Sequence, residues 1–531
     1  MKKLTLIIIT LLAIFSFSSC NSFREYAIQD ELLAPKSIDD NYGVYYEVFV
    51  GSFSDSNGDG IGDLQGLINR LDYLNDGFDT SGKSLGIQGL WLMPITPSPS
   101  YHKYDVRDYK NIDPNYGNLD DFKKLISEAN SRGIDVIIDL VLNHTSNQHP
   151  WFKAAKQALI DGDLDNKYLD YYVIVKQDQK ESGKTYYPFY GDYYYEANFS
   201  SSMPELNMDN QLVKDEIISI IQFWYGLGVK GFRLDAAKYI YLGDESKNIQ
   251  FWNWFVSEAK KIKPDTYIVG EVWSGDSEIA SYYQCFSNFD FGMSQQSGAV
   301  ATVANQMDDV NWFVSYLDRY RNIVENVNPN AILTPFISNH DMNRAAGYLN
   351  VDDYTMYSAA SMYILSSGNP FIYYGEEIGM KGSKGASNTD ANKRLAMLWG
   401  DNDTVRDPIG TTYLPENQTN GTVKQQLKDK FSLYNHYKKL IMLRKANPEI
   451  ARGKYTVLNF DGYYSLGGFL STYNNSTVGI IHNVGYNDIT IDLSNYTDVN
   501  FSVVRGYAGE GTANLSGQTL TIQAHTSVIL K

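Results

Sequence analysis

Between Tyr45 and Tyr373 short apolar, β-branched or aromatic runs alternate with longer amphipathic stretches, and this alternation is the strongest constraint on what the chain can fold into. Strand-length runs separated by helix-length ones place the strands parallel in one sheet with helices on its faces, because a parallel return needs a crossover of about a dozen residues or more. The qualifying runs are Tyr45–Val50, Gly89–Leu92, Asp135–Leu140, Gly231–Leu234, Tyr267–Val269, Phe289–Phe291, Ile332–Ile337 and Phe371–Tyr373, with the weakest pattern at Phe289–Phe291. Helical spacing falls between them, at Leu119–Asn130, Leu212–Tyr225, Phe251–Ile262 and Tyr354–Leu365. Eight such units favour a closed (β/α)8 barrel over an open sheet, so the expected fold class is α/β, a TIM barrel with additions.

The additions show as breaks in the pattern. The interval between the third and fourth strands is too long for one helix and its loops, and it holds His149-Pro-Trp-Phe and the Tyr-rich stretch Tyr186–Tyr195, so a small inserted domain is expected there. Beyond Arg444 short alternating strands such as Ser476–His482, Ile489–Leu493 and Thr519–Ile522 carry Asn and Gly turns, the pattern of a C-terminal antiparallel β-sandwich. A chain of 531 residues exceeds what one core sustains. The expected organisation is a leader at 1–20, a tether at 21–40, a barrel at 41–142 and 209–446, the inserted domain at 143–208 and the C-terminal domain at 447–531.

The leader reads as a targeting segment: Lys2 and Lys3, an apolar run from Leu4 to Phe17, then Ser18 and Ser19 before Cys20. It resembles a bacterial lipoprotein signal, which implies lipidation at Cys20 and an exported, membrane-anchored protein in the periplasm or at the cell surface. The plainer reading is an export signal with an incidental cysteine, leaving the protein fully secreted. Cys285 is then the sole remaining cysteine, so no disulfide is expected. The formal net charge of −17 argues against a nucleic-acid partner, whose phosphates require clustered Lys and Arg. A monomer is expected, touching membrane through the lipid anchor only. The 42 tyrosines suit stacking on sugar rings, although packing explains such a count more simply.

In a parallel barrel the functional groups sit at the C-terminal ends of strands. Polar residues follow apolar runs at several such ends: Asp139, Asn143 and His144 after the third, Arg233 and Asp235 at the fourth, Glu271 at the fifth, His340 and Asp341 at the seventh. One Asp at a strand end is more often a helix cap, but several converging on one mouth point to chemistry. Arg233 and Asp235 are two apart on a strand and share a face, and a cation beside a carboxylate keeps it ionised, as a nucleophile requires. A carboxyl near Trp273 and apolar walls can instead have a raised pKa, as a general acid needs. Two carboxyls in opposed environments are the minimum for glycoside hydrolysis.

These segments, in this order, resemble the signature regions of the α-amylase family, glycoside hydrolase family 13, as do Ile-Gln-Gly-Leu-Trp-Leu-Met-Pro-Ile at 87–95, Tyr-His-Lys-Tyr-Asp-Val-Arg-Asp-Tyr at 101–109 and Met-Pro-Glu-Leu-Asn at 203–207. The resemblance covers residues 41–531. It implies a retaining glycosidase in which Asp235 is the nucleophile, Glu271 the acid and then base, and Asp341 a third carboxylate that binds sugar hydroxyls. It also implies that Arg233 orients Asp235, that His144 and His340 hydrogen-bond the sugar at the cleavage point, that Tyr104 stacks on it and that His102 lies at its edge. Arg394 resembles a family sugar-site arginine, with Ala396 where a proline is usual. A retaining site places the two working carboxyls about 5–5.5 Å apart.

Asp55-Ser-Asn57-Gly-Asp59-Gly60-Ile61-Gly-Asp63 sets oxygen donors at alternate positions, the spacing of a calcium loop, with Asp55, Asn57, Asp59, Ile61 and Asp63 as candidate ligands for Ca2+. Gly66 stands where an EF-hand carries its bidentate Glu, so the loop is not an EF-hand. A second calcium at Asn143 is implied by the family resemblance. The expected activity is endo-acting cleavage of α-1,4 bonds in starch-like glucans and maltooligosaccharides. The alternatives are an exo-acting oligosaccharide α-glucosidase resembling oligo-1,6-glucosidases, or a transglycosylase, and more remotely a non-catalytic glucan-binding protein on the same fold.

Overall fold

The computed structural model describes residues 38, 40–79 and 81–531. Cys20, the leader and most of the tether lie outside the described residues. The chain forms β1 (Tyr45–Val48), β2 (Gly89–Leu92) and β3 (Asp135–Leu140), then β4 (Ile174–Lys176), β5 (Tyr186–Tyr190) and β6 (Tyr193–Glu196), then β7 (Gly231–Leu234), β8 (Tyr267–Gly270), β9 (Ser287–Asn288) and β10 (Phe371–Tyr373). Strands β10, β1, β2, β3, β7, β8 and β9 pair in that order in one parallel sheet, and β4, β6 and β5 make a separate antiparallel sheet between β3 and β7.

The sheet curls into a TIM barrel, and it departs from regular strands at two of the expected runs, the weakest among them. The sixth strand is the short Ser287–Asn288 rather than Phe289–Phe291, and Ile332–Ile337 forms no regular strand at all. Pro335 removes a ladder donor in the middle of that segment. Closure passes through it nonetheless: Phe289 bridges Thr334 in parallel, Asp290 N–H donates to Thr334 O at 3.0 Å, and Phe371 N–H donates to Pro335 O at 3.0 Å.

Period-two alternation decides what the barrel encloses. Tyr45 stacks on Phe371 at 4.8 Å and on Tyr267 at 5.0 Å, forming an aromatic layer at the N-terminal end. Trp91 and Phe289 lie 5.5 Å apart in a layer above. Gly231 opens β7 because a Cβ there would stand 1.7 Å from Tyr267 O. Two residues further along each strand the inward positions turn polar, with Glu47 after Tyr45, Asp139 after Ile137 and Arg233 after Gly231. Apolar filling therefore ends where the mouth begins.

Outside the barrel the helices come close to their expected spans. Leu119–Ser131 starts on a capping box between Asn118 and Asp121, and Glu245–Ile262 starts earlier than periodicity suggests because Asp244 caps it by accepting from Lys247 N–H. The chain after Gly453 forms a five-stranded and a three-stranded antiparallel sheet. Helix Val310–Val327 packs on strand Leu466–Tyr473 so closely that a Cβ on Gly467 would lie 2.6 Å from the Val310 side chain.

Two buried histidines stand on elements that meet around this junction. His436 donates from Nε2 to Tyr357 O at 2.9 Å, and His482 Nδ1 lies 2.7 Å from Ser527 Oγ. Burial pushes both down to about 3, so both are neutral in the folded protein and charge at the ordinary 6.5 when unfolded. Because the folded pKa is the lower one, this stability is whole above about pH 6.5 and is lost progressively toward pH 3. Thermal denaturation across that window should show Tm falling with pH, and His482→Gln should flatten the fall; equal slopes in both proteins would contradict the assignment.

Candidate active site

The C-terminal mouth is built from residues that continue the inward alternation past the ends of β7 and β8. Asp235 follows Arg233 by two, and Glu271 follows Val269 by two. Asp235 N–H donates to Leu140 O at 3.2 Å and Glu271 N–H to Leu234 O at 3.0 Å, so both carboxyls are carried by backbone still tied into the sheet. Ala236 takes a left-handed conformation, φ 46°, and its N–H donates to Glu271 Oε2 at 3.2 Å. A non-glycine residue held in that region beside two acids is strained, as functional turns often are.

Arg233 gathers the acids. Its side chain has no exposed surface; Nη1 donates to Asp139 Oδ1 at 2.9 Å and Asp235 Oδ1 at 2.7 Å, while Nη2 stands 2.7 Å from Glu271 Oε2. Asp139 and Arg233 are register partners across β3 and β7, and the guanidinium carbon lies 5.1 Å from the centre of the Trp91 ring. Burial acts upward on two of these carboxyls. Burial pushes Asp139 up to about 7 against the pull of Arg233. Burial also raises Glu271, the Arg233 charge opposes this and the Asp235 charge adds to it.

Asp341 completes the group from the loop after Ile337. Its Oδ1 accepts from Arg394 Nη2 at 2.8 Å and its Oδ2 lies 3.0 Å from His340 Nε2. Burial alone would raise its pKa, but the His340 and Arg394 charges prevail and hold it well below the usual carboxylate range. Arg394 also donates from Nε to His340 O at 3.2 Å.

Around these groups lies a cleft of about 490 Å³, lined by Tyr101, His102, Tyr104, His144, Asp235, Glu271, Asp341 and Arg394 among others. That volume falls within the range of about 300–1,000 Å³ usual for ligand clefts. Burial lowers His102 to about 4 and lowers His144, so both face the cleft as neutral rings. His144 Nε2 is buried without a hydrogen-bond partner, a polar atom available to a ligand. Phe199 and Trp273, 46% and 39% exposed, present aromatic faces at the cleft, with Trp273 stacked on Phe291 at 5.1 Å. Flat apolar faces beside the ionised Asp341 and neutral imidazoles suit sugar rings, whose faces are apolar and whose rims are hydroxyls.

The sequence-derived residues thus come together, with one difference of level. His340 and Arg233 have no exposed surface and lie beneath the wall, reaching a ligand only through Asp341, Asp235 and Glu271. Asp139, expected at the end of the third strand, is the register partner of Arg233, and two features escaped the sequence: Glu47 beneath His340, and Phe199 on the inserted segment. A carboxylate in a strand otherwise made of buried residues is the one signal that could have found Glu47.

The Asp55–Asp63 loop stands apart from this cleft. Asp55 is buried; burial raises its carboxyl, but hydrogen bonds from Thr404 and the Gly58, Gly60 and Asn57 amides outweigh it and lower the pKa. Asp63 accepts from Ser56 N–H and Gly66 N–H, while Asn57 and Asp59 remain at the surface. Among the described residues no three His, Cys, Asp or Glu side chains converge closely enough to hold a metal ion. Asn143 Nδ2 approaches His144 Nδ1 at 3.3 Å, and its Oδ1 is buried without a partner.

Comparison with known proteins agrees with this geometry. Residues 47–453 match the family model for the α-amylase catalytic domain. The chain is 39% identical over 457 residues to α-amylase 3 of Dictyoglomus thermophilum, covering 85% of this chain and 86% of that protein. It is 29% identical over 520 residues to an oligo-1,6-glucosidase of Halalkalibacterium halodurans, covering 83% and 89%. The solved structure of Eubacterium rectale Amy13B superposes with a TM-score of 0.86 at 38% identity, over 95% of this chain and 98% of that one. With the catalytic-domain match spanning most of the barrel and its mouth, the chain belongs to the α-amylase family, glycoside hydrolase family 13, and is a glycosidase.

Proposed function

We propose that the protein is a retaining α-amylase that cleaves internal α-1,4-glucosidic bonds in starch-like glucans and maltooligosaccharides. The observation that carries this reading is the pair Asp235 and Glu271 held on the two nitrogens of one buried guanidinium. Sharing one fork favours the short separation of about 5–5.5 Å at which a carboxylate attacks carbon directly, over the wider spacing that admits a water between the acids.

Asp235, its Oδ1 held by Arg233, attacks the anomeric carbon while Glu271, its pKa raised by burial, gives its proton to the departing glycosidic oxygen. The enzyme is left with a glycosyl ester on Asp235. Glu271, now ionised, removes a proton from water, which attacks the same carbon and restores Asp235. Two inversions return the α-anomer. Asp341, anionic at the wall, binds ring hydroxyls and opposes the positive charge that grows on the sugar. Tyr104 would lie under the ring, with His102, His144 and Arg394 about its hydroxyls. The resemblance to α-amylase 3 supports starch-like substrates, and the oligo-1,6-glucosidase relative marks the competing activity.

Calcium is proposed for the Asp55–Asp63 loop, held by the carboxylates of Asp55, Asp59 and Asp63, the Asn57 side-chain oxygen and the Ile61 carbonyl. Its support is the spacing of oxygen donors along the loop.

Asp235→Asn keeps the shape and removes the nucleophile, so turnover should fall by about five orders of magnitude or more with the fold intact. With the parent protein, a time course on soluble starch, maltoheptaose and isomaltose should give mixed-length maltooligosaccharides from starch early, with isomaltose untouched. Glucose from short oligosaccharides with starch nearly inert would replace this reading by the glucosidase one. Removing calcium with a chelator should lower Tm, since the ion binds only the folded state; a Tm indifferent to verified removal and re-addition would exclude the site.

A further inference from the structure

Glu47 sits in β1, where its strand neighbours are buried apolar or aromatic side chains and where, with Asp139 and Arg233, it begins the polar layer above the rings. Its carboxylate meets Nδ1 of His340, which is itself fully buried. The other ring nitrogen, Nε2, lies 2.7 Å from Tyr104 Oη and 3.0 Å from Asp341 Oδ2. Tyr104 donates its one proton to Asp139 Oδ2 at 3.1 Å, so its oxygen is left to accept.

Hydrogen-bond accounting then fixes the state of the ring. A carboxylate at Nδ1 only accepts, and a tyrosine oxygen and a carboxylate at Nε2 only accept, so both ring nitrogens must carry protons. The groups facing the ring from other elements are Glu47 on β1, the Trp91 ring edge-on at 5.6 Å from β2, Tyr104 from the loop after β2 and Arg394 from the loop after β10, which pairs with Asp341; Asp341 follows on the same segment, Asp139 lies behind Tyr104, and Arg233 lies beyond Trp91 and Tyr104. Two acids thus flank one imidazole. Burial would push His340 down, yet the Asp341 and Glu47 charges outweigh it and raise the ring to about 9.

We propose that Glu47 is a positioning residue for the glycosidase reaction: it holds His340 as an imidazolium from behind, and His340 in turn fixes Asp341 as a carboxylate aimed at the sugar. The catalytic consequence rests on the role given to Asp341 above. A neutral residue at position 47 would leave two cations, His340 and Arg394, against the single carboxylate of Asp341, a net positive set beside the cleft. With Glu47 present the four charges cancel, and the exposed member, the 34% accessible Asp341 side chain, faces the position where positive charge develops.

The test reads the ring directly. Histidine ¹⁵N NMR on the full chain, which has seven histidines, assigns His340 by its loss in His340→Asn and needs no substrate. His340 should remain doubly protonated at about pH 8 in the parent protein and titrate about one unit lower or more in Glu47→Gln. A ring neutral at pH 7 in the parent, or one with the same titration in both proteins, overturns the proposal; the parent measurement decides even if Glu47→Gln does not fold. In kinetics, Glu47→Gln should lower kcat about tenfold or more with KM moved far less, and shift the alkaline limb to lower pH. A variant that loses only Tm, with its pH profile unmoved, is a structural change and also overturns it. Absence of α-glucan hydrolysis in the parent would defeat the functional reading and leave the titration to decide the protonation by itself.

Discussion

A single buried cation, Arg233, organises the mouth of this barrel. Its guanidinium takes Asp139, Asp235 and Glu271, is covered by Trp91 and has no contact with solvent. Removing one partner from such a buried pair costs about 3–5 kcal/mol, because a charge is left in a medium that cannot solvate it. The acids are therefore fixed before any ligand arrives, and strand register sets where: Asp139 opposite Arg233, with Asp235 and Glu271 one alternation further on adjacent strands.

What one guanidinium does for two strands, a second ionic set does on the opposite wall. Glu47, His340, Asp341 and Arg394 come from β1, the segment after Ile337 and the loop that follows β10, so the site joins the first and last strands of the barrel. Closure of the sheet and assembly of the site are in this sense one event. The irregular segment through Pro335 bears on the chemistry because it carries His340 and Asp341 while binding Phe371 N–H and, at Thr334, Asp290 N–H.

Much of this was legible in the sequence, for physical reasons. Alternation in β7 required Arg233 and Asp235 to share a face, and a chain of parallel strands required their ends to converge. The seventh strand was misread because a β-branched, apolar run looks the same whether or not its amides pair, and Pro335 breaks the pairing. Glu47 escaped, as did the pairing of Asp139 with Arg233, because a lone carboxylate in a strand does not name the cation it will meet across the barrel. Tyrosine abundance largely reflects packing: Tyr45 and Tyr267 fill the barrel floor, Tyr46 and Tyr73 donate to buried Glu377, and Tyr363 and Tyr437 donate to buried Glu376. Among the described residues Tyr101, Tyr104 and Tyr239 line the cleft.

The central claim is that Asp235 attacks carbon while Glu271 handles the proton. Incubation with a fluorinated α-glucosyl fluoride, which slows breakdown of a glycosyl ester more than its formation, followed by proteolysis and mass spectrometry, tests it most directly. The account predicts a glycosyl label on the peptide containing Asp235, absent from Asp235→Asn. A label on another carboxylate, or turnover giving the β-anomer with no label at all, would contradict it.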